Sequence, residues 1–233
     1  MKVHIFSDVR CPFCYVGKKK FEKALSIFPY KDQIEIEWHS FQLDPTLRTQ
    51  PERDPYEFFS ELKGLTLEQT RTMHGHAEEA GKEVGIDFNF QNQKVANSFK
   101  AHLLLQKAKL LGKADSLKEE LFKAQFILGE NIDDKHQLLS ISQRAGLSIE
   151  EAQEALGSEE MAYHIKQDEQ LSRSIGVRAV PFFVFNEKYG VSGAQSPELF
   201  LEVLEKAWKE YTPSSLETIE GPEGACSTDG ECN

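Results

Sequence analysis

Four residues, Cys11-Pro12-Phe13-Cys14, carry the clearest chemistry in this chain. Two thiols three positions apart can close a disulfide and reopen it. They sit between a short apolar run, Val3-His4-Ile5-Phe6-Ser7, and a stretch with helical period. The pair therefore falls at a helix start, where unpaired N–H groups and the positive end of the dipole favour a thiolate. The thiolate is the form that attacks disulfides. This predicts a thiol–disulfide exchange site whose attacking thiol has a lowered pKa. A structural zinc site needs four ligands, and no second C-x-x-C is present. The other cysteines, Cys226 and Cys232, lie in a polar tail, and His4 and His39 fall in apolar strand patterns. Redox chemistry is favoured over metal, and neither a metal nor a cofactor is expected.

The elements that must hold the pair follow from periodicity. Residues 2–8 read as a strand. Val16, Phe21, Ala24, Leu25 and Phe28 recur at helical spacing, and Pro29 stops that helix. Ile34, Ile36 and Trp38 alternate as a second strand, completing a βαβ unit with a right-handed crossover. From Asp54 to about Ser174 the period is helical. Helices are predicted after Asp54-Pro55, after Thr66 with Gln69 closing a capping box, over 95–111 and 115–128, near 135–145, after Ser148 with Glu151, and over 159–174. Val180 to Phe185 reads as a strand, Asn186-Glu187-Lys188 as a turn, and Tyr189 to Ser192 as its returning partner. Ser196-Pro197 opens a last amphipathic helix.

The two ends thus make one sheet with two helices, interrupted by a helical module. The expected class is α/β, a thioredoxin-like fold with a large all-helical insertion. Residues 1–50 and 175–212 form the discontinuous sheet domain, 51–174 the insertion, and 213–233 a flexible tail.

With 233 residues, 39% apolar and 28% charged, the chain has enough apolar content for a core. No apolar run reaches bilayer-spanning length. Residues 1–8 lack the layout of a signal peptide, so a cytoplasmic location is expected unless a leader was removed. A formal charge of −11 argues against nucleic acid and anionic membranes as partners. His74 and His76, at i and i+2, do not share a helix face and predict no metal site. Glu119-Glu120 and Asp133-Asp134 read as solvated, and Tyr56, Phe58, Phe59, Phe182 and Phe183 as core.

Several stretches together resemble the DsbA family, most closely its cytosolic FrnE-like branch. They are Phe6-Ser7-Asp8 through Gly17, Trp38 through Pro45, Asn97 through His102, Gly176 through Val184, and Gly190 through Gln195. The resemblance spans nearly the whole chain before the tail. It implies that Cys11 is the exposed attacking thiol, Cys14 the more buried resolving thiol, and Pro181 a cis-proline facing them. Without the cysteines, Pro181 would read as a plain strand-opening proline. Pro12, Phe13, Val180, Asn97 and His102 are the candidate substrate-binding positions, although Asn97 and His102 read equally well as packing groups. The partners implied are disulfide- or thiol-containing proteins or small thiols.

A sister branch holds glutathione-dependent isomerases of the 2-hydroxychromene-2-carboxylate type and kappa-class glutathione transferases. Those generally carry serine where this chain has Cys11. An isomerase and a chaperone-like peptide-binding module are therefore the alternatives to an oxidoreductase. Cys226 and Cys232, with five residues between them including Asp229-Gly230, read as an auxiliary redox pair, a partial metal site or two inert thiols.

Overall fold

The computed structural model describes residues 1–211. Its sheet has four strands in the order β2-β1-β3-β4: β1 (Lys2–Ser7), β2 (Glu35–Ser40), β3 (Phe182–Phe185) and β4 (Tyr189–Ser192). β1 pairs parallel with β2 and antiparallel with β3, so the sheet joins the two ends of the described chain. Strand alternation gives it two faces. Val3, Ile5, Trp38, Phe183 and Phe185 pack on Phe21 and Ala24 of α1 (Pro12–Ile27) and on Phe200 and Leu204 of α9 (Pro197–Glu210). His4, Phe6, Glu37 and His39 share the opposite face by register.

Seven helices lie between β2 and β3: α2 (Pro55–Lys63), α3 (Leu67–Lys82), α4 (Phe99–Leu110), α5 (Ala114–Lys123), α6 (Lys135–Arg144), α7 (Ile149–Leu156) and α8 (Glu159–Ser174). The Thr66/Gln69 and Ser148/Glu151 capping boxes both form. Several boundaries differ from the periodicity reading: β2 leaves out Ile34 and β3 starts at Phe182, not Val180. α4 starts at Phe99 because Val95 is held extended, its carbonyl accepting from Gln50 N–H at 2.8 Å. The segment 115–128 changes winding: α5 ends at Lys123 and Ala124–Leu128 is π-helical. Glu119 is no solvated acid, since it accepts from Tyr15 O–H at 2.7 Å and pairs with Lys18 and Lys19.

The insertion has its own apolar core, around Leu104, Leu117, Leu121 and Ile141. A third cluster mixes Cys11, Cys14, Tyr15 and Val16 with Phe88, Phe90, Phe122 and Phe126. The thiols therefore lie where the first helix meets the helical insertion.

Candidate functional site

β1 ends at Ser7, and the next residue sets the turn that leads to the thiols. The Asp8 carboxylate accepts N–H bonds from Arg10 at 3.1 Å and Leu43 at 2.8 Å, and lies 3.3 Å from His102 Nε2. Asp8 and His102 are both fully buried. Burial pushes the Asp8 carboxyl up, but His102, the Leu43 N–H and Arg10 outweigh it and hold the group at about 2. Cys11 N–H then bonds Asp8 O at 3.1 Å, and Cys11 becomes the N-cap of α1 with Pro12 at its first position. Cys14 falls in the first turn, its N–H bonding Cys11 O at 3.0 Å.

From the far end of the chain, the Val180–Pro181 peptide bond is cis. The Cys11 thiol donates to Val180 O at 3.5 Å across 169 residues of sequence. Gly17 permits this approach. A Cβ built there would lie 3.0 Å from Pro181 Cγ and 3.4 Å from Phe183 Cζ. Gly17→Val should therefore push the Pro181 segment off α1. Expected is a drop of about tenfold in disulfide-reduction kcat/KM, on the order of 1.4 kcal/mol, with far-UV circular dichroism unchanged.

Both thiols are buried. Cys11 is 6% exposed and Cys14 1%. Cys11 is thus not the exposed thiol expected, nor a low-pKa one in this geometry. The hydrogen bond with Cys14, then burial, push the Cys11 thiol well up, against the Cys14 N–H that favours its thiolate. Two thiolates in contact would repel, so the pair gives up one proton far more readily than two.

One buried cation stands near the pair. Lys118 of α5 is 1% exposed, its Nζ 3.4 Å from Ser7 O and above the rings of Trp38 and Phe122. Burial drives its pKa down to about 8, with Cys14, Asp8 and Cys11 acting against the drop. Periodicity offered a signal for it, since Lys118 lies four residues before Phe122, on the same helix face. A lysine whose folded pKa lies below its unfolded value of 10.5 costs stability at pH below 8, and the cost fades as pH rises from 8 to 10.5. Lys118→Met should raise the neutral-pH stability, by up to about 3 kcal/mol, and flatten that alkaline rise. Urea midpoints of the two proteins between pH 7 and 10.5 check both.

A cavity of about 460 Å³ opens beside Cys11. Pro12 and Phe13 form part of its wall with Met73, Phe90 and Phe126, and Arg10, Lys63 and Asp44 are the charged residues on it. His74 of α3 lines it too, stacked on Phe90 at 4.6 Å and held neutral by burial, at about 4. Asn97 and His102 do not line it. Asn97 ties down a loop, donating to Leu47 O at 2.8 Å and Pro45 O at 3.2 Å and accepting from Phe99 N–H at 2.7 Å. His102 is sealed beneath Asp8. Their polarity serves the scaffold under the thiols and not the cavity wall. Cys226 and Cys232 lie outside the described residues. No helix among the described residues is long and apolar enough to cross a membrane.

Comparison with known proteins agrees with this geometry. The sequence profile of the DSBA-like thioredoxin domain matches residues 2–205. The Bacillus subtilis (strain 168) protein YwbO is 28% identical over 218 residues, which cover 90% of this chain and 100% of YwbO. The crystal structure of a probable DsbA oxidoreductase from Streptomyces coelicolor superposes with a TM-score of 0.85 at 33% identity, covering 100% of this chain and 98% of that one. The cytosolic disulfide reductase DsbM of Pseudomonas aeruginosa, solved with GSH, shares the fold, with a TM-score of 0.66 at 16% identity over 90% of this chain and 100% of its own. A thioredoxin-like sheet, a helical insertion and a buried Cys11–Cys14 pair with Cys11 bonded to the Val180 carbonyl thus accompany a profile match over most of the sequence, and the chain belongs to the DSBA-like thioredoxin-domain family.

Proposed function

We propose that the protein is a cytosolic thiol–disulfide oxidoreductase whose Cys11–Cys14 pair cycles between dithiol and disulfide. The observation that carries the reading is the Cys11 thiol bonded to Val180 O at 3.5 Å, beside Pro181 and above an apolar cavity. The Cys11 thiolate attacks one sulfur of a substrate disulfide, forming a mixed disulfide and releasing a substrate thiolate that takes up a proton. Cys14, deprotonated, then attacks the Cys11 sulfur. The second substrate thiol leaves, and the protein keeps a Cys11–Cys14 disulfide. Two electrons and two protons have passed to the substrate. The reverse sequence oxidises a dithiol, and the relative potentials set the direction, about 30 mV being worth ~1.4 kcal/mol.

The surroundings fit these steps. The Lys118 ammonium offers positive charge to a thiolate in the pair, and the Cys14 N–H points the same way for Cys11. Val180 O and the Pro12-Phe13 rim border the path of an incoming disulfide. Burial of Cys11 favours an extended peptide or a small disulfide that enters the cavity over a disulfide held in a flat protein surface. Two cysteines at the site favour disulfide exchange over the isomerase chemistry of the serine-bearing branch.

The test is to mix fully reduced protein with insulin and, separately, with oxidised glutathione, then map all four sulfurs by mass spectrometry. Expected is one Cys11–Cys14 disulfide per substrate disulfide reduced. Substrate left oxidised, or reduced without that disulfide forming, overturns the reading.

A further inference from the structure

On the sheet face turned away from α1 and α9, parallel pairing of β1 with β2 sets His4 opposite Glu37 and Phe6 opposite His39. Thirty-five residues of sequence separate the two histidines, yet His4 Nδ1 lies 2.9 Å from His39 Nε2. The Glu37 carboxylate reaches both, Oε2 at 3.7 Å from His4 Nδ1 and Oε1 at 3.8 Å from His39 Nε2. We propose that His4, Glu37 and His39 form a binding site for one divalent first-row cation, with zinc as the best match to two imidazoles and one carboxylate.

The spacing fits. Zinc holds nitrogen and oxygen at roughly 2.0–2.2 Å, so tetrahedral ligand atoms stand about 3.3–3.5 Å apart. The two nitrogens, at 2.9 Å, stand closer than that range, and Glu37 reaches each with a different oxygen from just beyond it, at 3.7 and 3.8 Å; shifts of a few tenths of an ångström and a turn of the carboxylate bring both nitrogens and one oxygen to it. Two histidines and one glutamate with an open fourth position are a known zinc ligand set, and the imidazoles also admit Fe²⁺, Ni²⁺ and Cu²⁺.

The histidine between the other two groups is held as metal-bound histidines are. His39 Nδ1 lies 2.6 Å from Asp168 Oδ1, which fixes the proton on that nitrogen and leaves the Nε2 lone pair facing His4 and Glu37. Asp168 is itself anchored, accepting from Ser40 N–H at 2.7 Å and Gln106 Nε2 at 2.6 Å. Phe6 stacks on the His39 ring at 4.7 Å and sets its plane. Without a cation the His4 Nδ1–H donates to His39 Nε2. Binding moves that proton to His4 Nε2 and frees Nδ1.

The site is reachable from the His4 side. A cavity of about 430 Å³ is lined by His4, Phe6, Leu171, Ile175, Val184 and Glu187, leaving space for water as a fourth ligand. Lys2 at 2.9 Å and Lys109 at 2.6 Å hold the two Glu37 oxygens. A carboxylate has about four lone-pair sites, enough for both lysines and a cation.

The thiols must be silenced first, because thiolates as a class bind zinc. Full-length protein alkylated at all cysteines is titrated with Zn²⁺ by calorimetry, and with Co²⁺ to read the ligand set from its visible spectrum. Expected is one equivalent of Zn²⁺ bound, with a nitrogen- and oxygen-ligated Co²⁺ spectrum. His4→Gln and Glu37→Gln should each weaken binding by at least about tenfold, and Asp168→Asn, which acts through His39, by about 10–100-fold. His39 is too deeply placed to serve as the test, so the half-buried His4 and Glu37 variants carry it, with circular dichroism confirming their fold. No zinc taken up by the alkylated protein, or equal uptake by these two folded variants, overturns the proposal.

Discussion

Cys14→Ser should accumulate a covalent adduct with its substrate, while Cys11→Ser should show neither adduct nor turnover. The difference follows from which sulfur meets the substrate first. Cys11 borders the cavity and bonds Val180 O, whereas Cys14 is 1% exposed and does not line the cavity. Without Cys14 the mixed disulfide on Cys11 has no resolving thiol and persists. Without Cys11 the first bond never forms. Each variant should lose on the order of a thousandfold or more in insulin reduction, since nucleophile and resolving group act as one unit. Non-reducing gels and mass spectrometry read the adduct. An adduct on Cys14 in the Cys11→Ser protein, with turnover retained by Cys14→Ser, would exchange the two roles.

Asp8→Asn should be the most destabilising single change next to the site. The substitution removes a fully buried carboxylate bound by two backbone N–H groups and His102, and leaves that histidine without its partner. Breaking a buried pair in this way costs about 3–5 kcal/mol, a fall of roughly 6–20 °C in Tm for a chain of this size. The pH dependence has a definite sign. The folded carboxyl titrates at about 2 against 3.8 unfolded, so its contribution is complete above 3.8 and is lost as pH falls toward 2. That contribution is about 2.5 kcal/mol. Urea midpoints from pH 2 to 7 should show the wild type losing stability over that window more steeply than the variant. Equal stability at pH 7 would rule out the pinning role of Asp8.

The residues that announced the fold are those whose information is local. Alternation in β1 and β3, the Thr66 and Ser148 boxes and the Ser196-Pro197 start are each written within a few positions, and each forms. What escaped depends on residues far apart. Asn97 and His102 are polar positions on one helix by sequence. Only the tertiary arrangement shows that one clamps the 45–49 loop and the other meets Asp8 across 94 residues. α4 buries Ala101 through Gln106 in succession, so it has no solvent face from which polarity could be judged. Exposure of Cys11 failed for the same reason, because α3 and the π-helical turn supply cavity walls that no window around residue 11 contains. The sequence places Lys118 on the Phe122 face of its helix, but only the packing against Trp38 and Phe122 shows it buried.

The join between β1 and β3 also fixes an order of events during synthesis. At about 5–20 residues per second, Cys11 enters the tunnel some 8–34 s before Val180, the residue 169 positions later that accepts its hydrogen bond. Through that interval β1 has no β3 beside it, and the dithiol emerges on a nascent chain without its cover. A ribosome-bound polypeptide should therefore offer both sulfurs to maleimide labelling until the last strands are made. Protection should be completed only in a late step, once β3 pairs and brings the Val180 carbonyl to Cys11, after α3 and the π-helical turn have supplied the cavity walls.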